Sequence, residues 1–223
     1  KKGDFTLGQA VDELENEFKK IAQTKYAIGV GSGTDAIFLS LKAVDIGKGH
    51  EVITVPYTFY ATVGAIVTAG ATPVFVDVGP DYNMDPEKIE EAITPRTKAI
   101  LPVHWSGLLC DMERINQIAK KYDLFIIEDA CHAIKAERNN MRAGALGSTA
   151  CFSMHPLKNL NVWGDGGMIV TNSKKLHKKF LLLRNHGLIN RDLSEVFAYN
   201  SRLDTLQAIV GKHLLTRIDE ITK

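Results

Sequence analysis

Two kinds of apolar run alternate along this 223-residue chain, and that alternation constrains the fold more than any other feature. Ala10, Val11, Leu14, Phe18, Ile21 and Ala22 recur at the spacing of an amphipathic helix, which predicts a helix over about residues 9–23. Residues 26–30 read as a strand, and Gly31-Ser32-Gly33-Thr34 then opens a helix running to Val44. A strand at 52–55, a helix from Pro56 to Ala69 and a strand at 74–77 follow. Asp85-Pro86 starts the next helix, with Asp85 as N-cap and Pro86 at the first helical position, where its missing N–H costs nothing. Beyond it come a strand at 99–103, a helix at 112–122 and strands at 124–128 and 148–152. The helix at 174–184 has Lys174, Lys175, Lys178 and Lys179 as its wet face, and a last helical pattern runs from Arg202 to Ile221.

Short runs apolar on both faces, separated by helices, specify an α/β fold: a mostly parallel sheet sandwiched by helices. In such sheets ligands bind outside the carboxyl ends of the strands. Gly31-Ser32-Gly33-Thr34, His104, Asp129 and Ser153 all follow predicted strands, so the chemically useful residues are expected on one edge. The length suits one large domain over residues 1–223, with the stretch at about 202–223 beginning a linking helix.

A net charge of +1 gives no global field that would argue for nucleic acid or an anionic membrane as partner. No apolar run has the length of a membrane span, and Lys1, Lys2 and Asp4 do not begin a signal peptide. Cys110, Cys131 and Cys151 form no CxxC pair, which suggests reduced thiols, no metal site and a cytoplasmic setting.

The chemistry centres on Lys158. It lies in the polar loop Ser153-Met154-His155-Pro156-Leu157-Lys158-Asn159, ahead of the turn Gly164-Asp165-Gly166-Gly167. Upstream, the strand Leu124-Phe125-Ile126-Ile127 ends in Glu128-Asp129-Ala130-Cys131-His132. An acid at one strand end and a lysine after another is the layout of a pyridoxal phosphate (PLP) enzyme: the amine takes the aldehyde and the acid keeps the ring nitrogen protonated. Taken singly, Lys158 could be a solvated lysine, Asp129 a helix cap and Phe59 plain core. Gly29-Val30-Gly31-Ser32-Gly33 has the wrong glycine spacing for a dinucleotide fingerprint. It remains a glycine-rich turn at a helix start, where backbone N–H groups attract a phosphate.

Seven motifs then stand in order: Ser32-Gly33-Thr34-Asp35-Ala36, Pro56-Tyr57-Thr58-Phe59-Tyr60-Ala61-Thr62, Glu128-Asp129-Ala130-Cys131-His132-Ala133, Ser153-x-His155-Pro156-x-Lys158-Asn159, Gly164-Asp165-Gly166-Gly167, Arg184-Asn185-His186-Gly187 and Tyr199-Asn200-Ser201-Arg202-Leu203-Asp204. Together they span essentially the whole chain and resemble the sugar aminotransferases of the DegT/DnrJ/StrS family. The resemblance implies the large domain of the aspartate-aminotransferase type I fold, with PLP as cofactor and pyridoxamine phosphate as its aminated form. By the same resemblance Lys158 is the Schiff-base lysine and Asp129 the partner of the pyridine nitrogen. His132 lies near the ring hydroxyl, Phe59 stacks on the ring, and Thr34, Asp35 and Ser153 bind the phosphate. Asn200 reaches the phosphate of the neighbouring subunit's cofactor, which makes a homodimer with shared sites. The implied substrates are an amino-acid donor, L-glutamate, and a keto-sugar linked to a nucleotide.

Family members continue into a smaller C-terminal domain and begin with an N-terminal helix before the segment that matches Gly3, so this chain is expected to be the cofactor domain of a longer protein. Two rival readings stand beside the aminotransferase. A dehydratase of the same family would carry histidine in place of Lys158, and a non-catalytic PLP-binding regulator would have no need to keep Lys158, Asp129 and Ser153 together.

Overall fold

The computed structural model describes residues 3–222. Helix α1 (Gln9–Ile21) buries Val11, Leu14 and Phe18 on one stripe and leads into β1 (Tyr26–Val30). There follow α2 (Gly33–Ala43), β2 (Glu51–Thr54), α3 (Tyr60–Thr68) and β3 (Thr72–Phe75). A 3-10 turn at Pro86–Lys88 joins α4 (Ile89–Ala92), then come β4 (Thr97–Ile100), α5 (Met112–Tyr122) and β5 (Phe125–Asp129). The remainder is β6 (Glu137–Arg138), β7 (Met141–Arg142), β8 (Thr149–Ser153), β9 (Gly167–Thr171), α6 (Lys174–Leu183), α7 (Thr205–Leu215) and α8 (Ile218–Ile221).

Seven strands form one sheet in the order β1-β9-β8-β5-β4-β2-β3. All but β9 run in one direction, and β9 pairs antiparallel with both of its neighbours. Alternate side chains of the strands separate two cores, as the two-residue pleat requires. Ile28, Val30, Cys151 and Ile169 join α2, α3 and α6 in one core. Ala27, Phe152, Met168 and Val170 join α1 and α7 in the other, where Phe18 meets Phe152 edge-to-face. The sheet is therefore covered on both sides, and the mostly parallel sandwich expected from the sequence is the observed fold.

The expected boundaries shift in places. Asp85 does cap its helix, accepting the Glu87 N–H at 3.0 Å, but that helix is only the 3-10 turn and α4. Helix α3 begins at Tyr60, with Phe59 as N-cap, several residues after Pro56. The last helical pattern is not one helix. It starts at Thr205 after the cap Asp204, stops at Thr216 and resumes as α8. Two elements were not expected: β9, and the hairpin β6–β7 turning at Asn139-Asn140, both at positive φ.

Candidate active site

The carboxyl ends of β1, β5 and β8 fall on one edge of the sheet because β9, between β1 and β8, runs antiparallel to both. Above them opens a cleft of about 810 Å³, part of it open to solvent, with Thr34, Phe59, Asp129, His132, Ser153 and Lys158 among its lining residues. Six of the eight residues singled out from the sequence are thus brought together.

Asp129 ends β5 and is buried, at 5% exposure. Its backbone is pinned on both sides, with its N–H on the Pro102 carbonyl at 2.9 Å and its carbonyl accepting the His104 N–H at 3.0 Å. The carboxylate accepts the Cys131 N–H on Oδ1 at 3.1 Å and the Thr62 hydroxyl on Oδ2 at 2.7 Å. A charge held this far from water persists only with such donors around it. Cys131 also lines the cleft, where burial and then the Asp129 charge push its thiol well up.

The first turn of α2 forms an anion cradle. Ser32 caps the helix, accepting the Asp35 N–H on its hydroxyl at 3.0 Å, and its carbonyl takes the Ala36 N–H. The N–H groups of Gly33 and Thr34 lie ahead of any intrahelical acceptor and find no protein partner among the described residues. Ser153, at the end of β8, accepts the His155 N–H at 3.2 Å and keeps its own proton to donate. A Cβ on Gly33 would sit 2.7 Å from that of Ser153, so only glycine lets the helix start press against the strand end. Gly167 is held to glycine in the same way, by the Ser32 carbonyl. Two free N–H groups, a hydroxyl and a helix N-terminus converge here, a donor set that suits an anion such as a phosphate.

Lys158 sits in the loop after β8, its N–H on the His155 carbonyl at 2.8 Å and its carbonyl held by the Asn161 side chain at 3.1 Å. His132 packs at 5.1 Å between ring centroids on Trp105, which packs at 4.9 Å on Tyr57. Burial lowers the pKa of His132, and the Lys158 ammonium adds to the effect against the pull of Asp129. Phe59 projects at the cleft with 54% of its surface exposed, free to lie against a planar ligand.

The other two expected residues lie outside the cleft lining. Asp35 has its N–H on Ser32 and its carboxylate on the Ser201 hydroxyl at 2.7 Å, and Ser201 also accepts the Gly31 N–H at 3.1 Å. It braces the turn rather than offering a free donor. Asn200 is exposed and bridges to Asn185. His104, grouped with the site by its place after a strand, turns away instead: its ring is fully buried with Nε2 3.0 Å from Glu128 Oε2. Glu128 in turn collects the N–H groups of Gly144, Leu146 and Gly147. Sequence reasoning missed Thr62, Trp105 and Ser201. The first and last stand inside quoted motifs, but no spacing rule marks a hydroxyl aimed at a carboxylate across the fold.

The sequence model of the DegT/DnrJ/EryC1/StrS aminotransferase family matches residues 1–223. A Geobacillus stearothermophilus protein named pleiotropic regulatory protein is 46% identical over 220 residues, 98% of this chain and 59% of the relative. The dTDP-3-amino-3,6-dideoxy-alpha-D-galactopyranose transaminase of Aneurinibacillus thermoaerophilus is 47% identical over 221 residues, 98% of this chain and 60% of the relative. The chain therefore spans about three fifths of the length of these curated relatives. The crystal structure of S. venezuelae DesV with a ketimine intermediate superposes with a TM-score of 0.96 at 41% identity, over 98% of this chain and 59% of DesV.

Proposed function

Because the chain belongs to the DegT/DnrJ/EryC1/StrS aminotransferase family, we propose that its cleft is the cofactor site of a transaminase that moves an amino group from L-glutamate to a nucleotide-linked keto-sugar. The observation that carries this reading is the meeting of Lys158, the buried Asp129 carboxylate and a phosphate cradle in one cleft. The cofactor of the family is PLP, and the donor set fits it: a cradle for a phosphate, an acceptor for a ring N–H and an amine for an aldehyde. In this reading residues 1–223 are the large cofactor domain, and the further length of the relatives corresponds to a smaller C-terminal domain.

When bound, PLP supplies an aldehyde carbon for the amine and a ring that draws off the electron pair left by proton loss. The N–H groups of Gly33 and Thr34 and the Ser153 hydroxyl would hold the phosphate, and in a homodimer Asn200 of a second copy would complete its ligands. Phe59, exposed at the cleft, would cover one face of the ring and keep water from it. His132, whose pKa is lowered chiefly by burial, would stand by the ring hydroxyl. Asp129 would hold the proton on the ring nitrogen, which lets the ring accept an electron pair. Lys158 Nζ would take the proton from the donor's α-carbon as general base and, as general acid, deliver it to the cofactor carbon that receives the amine.

Full-length protein loaded with PLP and given glutamate alone should change its absorbance and release 2-oxoglutarate, and a panel of nucleotide-linked keto-sugars should then show which one takes the amine. Loss of water from a keto-sugar, with no amino acid driving that half-reaction, would point to the dehydratase instead. The regulatory relative favours one second reading, a cofactor-binding regulator, for which PLP binds but no keto-sugar is aminated.

A further inference from the structure

Asp129 is reached from α3 through an ordered pair of hydroxyls. Thr62, in the first turn of α3 and buried, places Oγ1 2.7 Å from Asp129 Oδ2, and Thr58 Oγ1 lies 2.7 Å from Thr62 Oγ1. An ionised carboxylate only accepts hydrogen bonds, so the single hydroxyl proton of Thr62 is committed to Asp129. That fixes the direction of the other contact: Thr58 donates and Thr62 accepts. Each bond in such a chain polarises the next and strengthens it.

Neither hydroxyl serves the helix. The N-cap of α3 is Phe59, which makes no side-chain capping bond. A hydroxyl buried to this degree costs stability unless it is bonded, and valine of the same shape would fill the space without that cost. The threonine therefore has a task at its oxygen, and the oxygen meets the carboxylate. Thr58 adjoins Phe59, so the same chain ties the loop beside the exposed ring to the floor of the cleft.

We propose that Thr62, polarised by Thr58, is a positioning residue that keeps the Asp129 carboxylate an acceptor aimed into the cleft, so that the proton shared with the cofactor's ring nitrogen stays on the nitrogen. The proposal rests on the reading of the cleft as a PLP site. Without the Thr62 donor, the carboxylate oxygen competes more strongly for that proton and the proton moves towards oxygen.

The test is a nitrogen-15 NMR measurement on full-length protein reconstituted with ring-labelled PLP. In Thr62→Val the ring-nitrogen resonance should move towards that of unprotonated pyridine, and the glutamate half-reaction should slow by at least roughly tenfold, the effect of losing a hydrogen bond to a charged group. Thr62→Ser should restore both. Thr58→Val should shift the resonance in the same direction by less, and it replaces Thr62→Val if that variant does not fold. A wild-type resonance in the valine variant overturns the proposal. Borohydride labelling of Lys158 separates the two claims: labelled protein with an unmoved resonance overturns the hydroxyl relay alone, whereas wild-type protein that takes no label at Lys158 overturns the cofactor site and the relay with it.

Discussion

Arg184 ties three elements to one carboxylate: its Nη1 lies 2.5 Å from Glu15 Oε1 in α1 and 2.9 Å from the Gly29 carbonyl in β1. The same Glu15 oxygen accepts the Gly29 N–H at 2.8 Å. Gly29 leads into the turn that opens α2, so the start of that helix is anchored from behind by a nearly buried ion pair.

Breaking that pair should cost more than a surface salt bridge. Arg184→Met leaves Glu15 buried without its cation, and urea denaturation near neutral pH should show a loss of about 3–5 kcal/mol. Burial already raises the Glu15 pKa above 4.5 while Arg184 opposes it, so the variant should raise it further. With the folded value above the unfolded one, the folded chain holds the extra proton, and stability falls as pH rises through that interval. The deficit should therefore shrink as pH drops towards 4.5. A deficit that is flat with pH would mean Glu15 is not the group left exposed to the loss.

His132 reports on the charge inside the cleft. In cofactor-free protein its ring should titrate below 6.5, chiefly because burial disfavours the cation and secondarily because Lys158 is positive. Proton NMR should find the value raised in Lys158→Ala and lowered further in Asp129→Asn. As the folded value lies below the unfolded one, the contribution of this group to stability is present above 6.5 and is lost as pH falls through the folded value. An insensitive His132 would place Lys158 outside the cleft in solution.

Gly33→Ala tests the cradle. The added Cβ would meet Ser153 at 2.7 Å and must push the α2 start away from the end of β8. PLP should bind more than roughly tenfold more weakly, since each of the two N–H donors and the Ser153 hydroxyl is worth about 1 kcal/mol or more to a charged ligand. Titration of the apoprotein by fluorescence measures it. Unchanged affinity would move the phosphate elsewhere.

Much of this was legible in the chain because the buried strands and amphipathic helices obey different periods. Residues 26–30 and 112–122 coincide with β1 and α5 as found. Strand β9 was hidden because Met168-Ile169-Val170 follows a glycine-rich turn, and its direction depends on neighbours distant in sequence. The β6–β7 hairpin left a signal in Asn139-Asn140, a pair that tolerates the positive φ of a two-residue turn. The end of α7 was not visible because apolar spacing continues through Ile218, beyond the actual stop at Thr216. Strand ends placed Asp129 and Ser153 on the edge where the cleft opens but also nominated His104, whose side chain turns towards Glu128. A strand end fixes the edge of the sheet a residue occupies, not the direction of its side chain.

The most direct test of the cofactor site is the position of the covalent link. Full-length protein incubated with PLP and reduced with borohydride should give one pyridoxyl-modified peptide, with the mass increment on Lys158 and lost in Lys158→Ala. A label on another lysine, or none on protein that still binds PLP, would contradict the account.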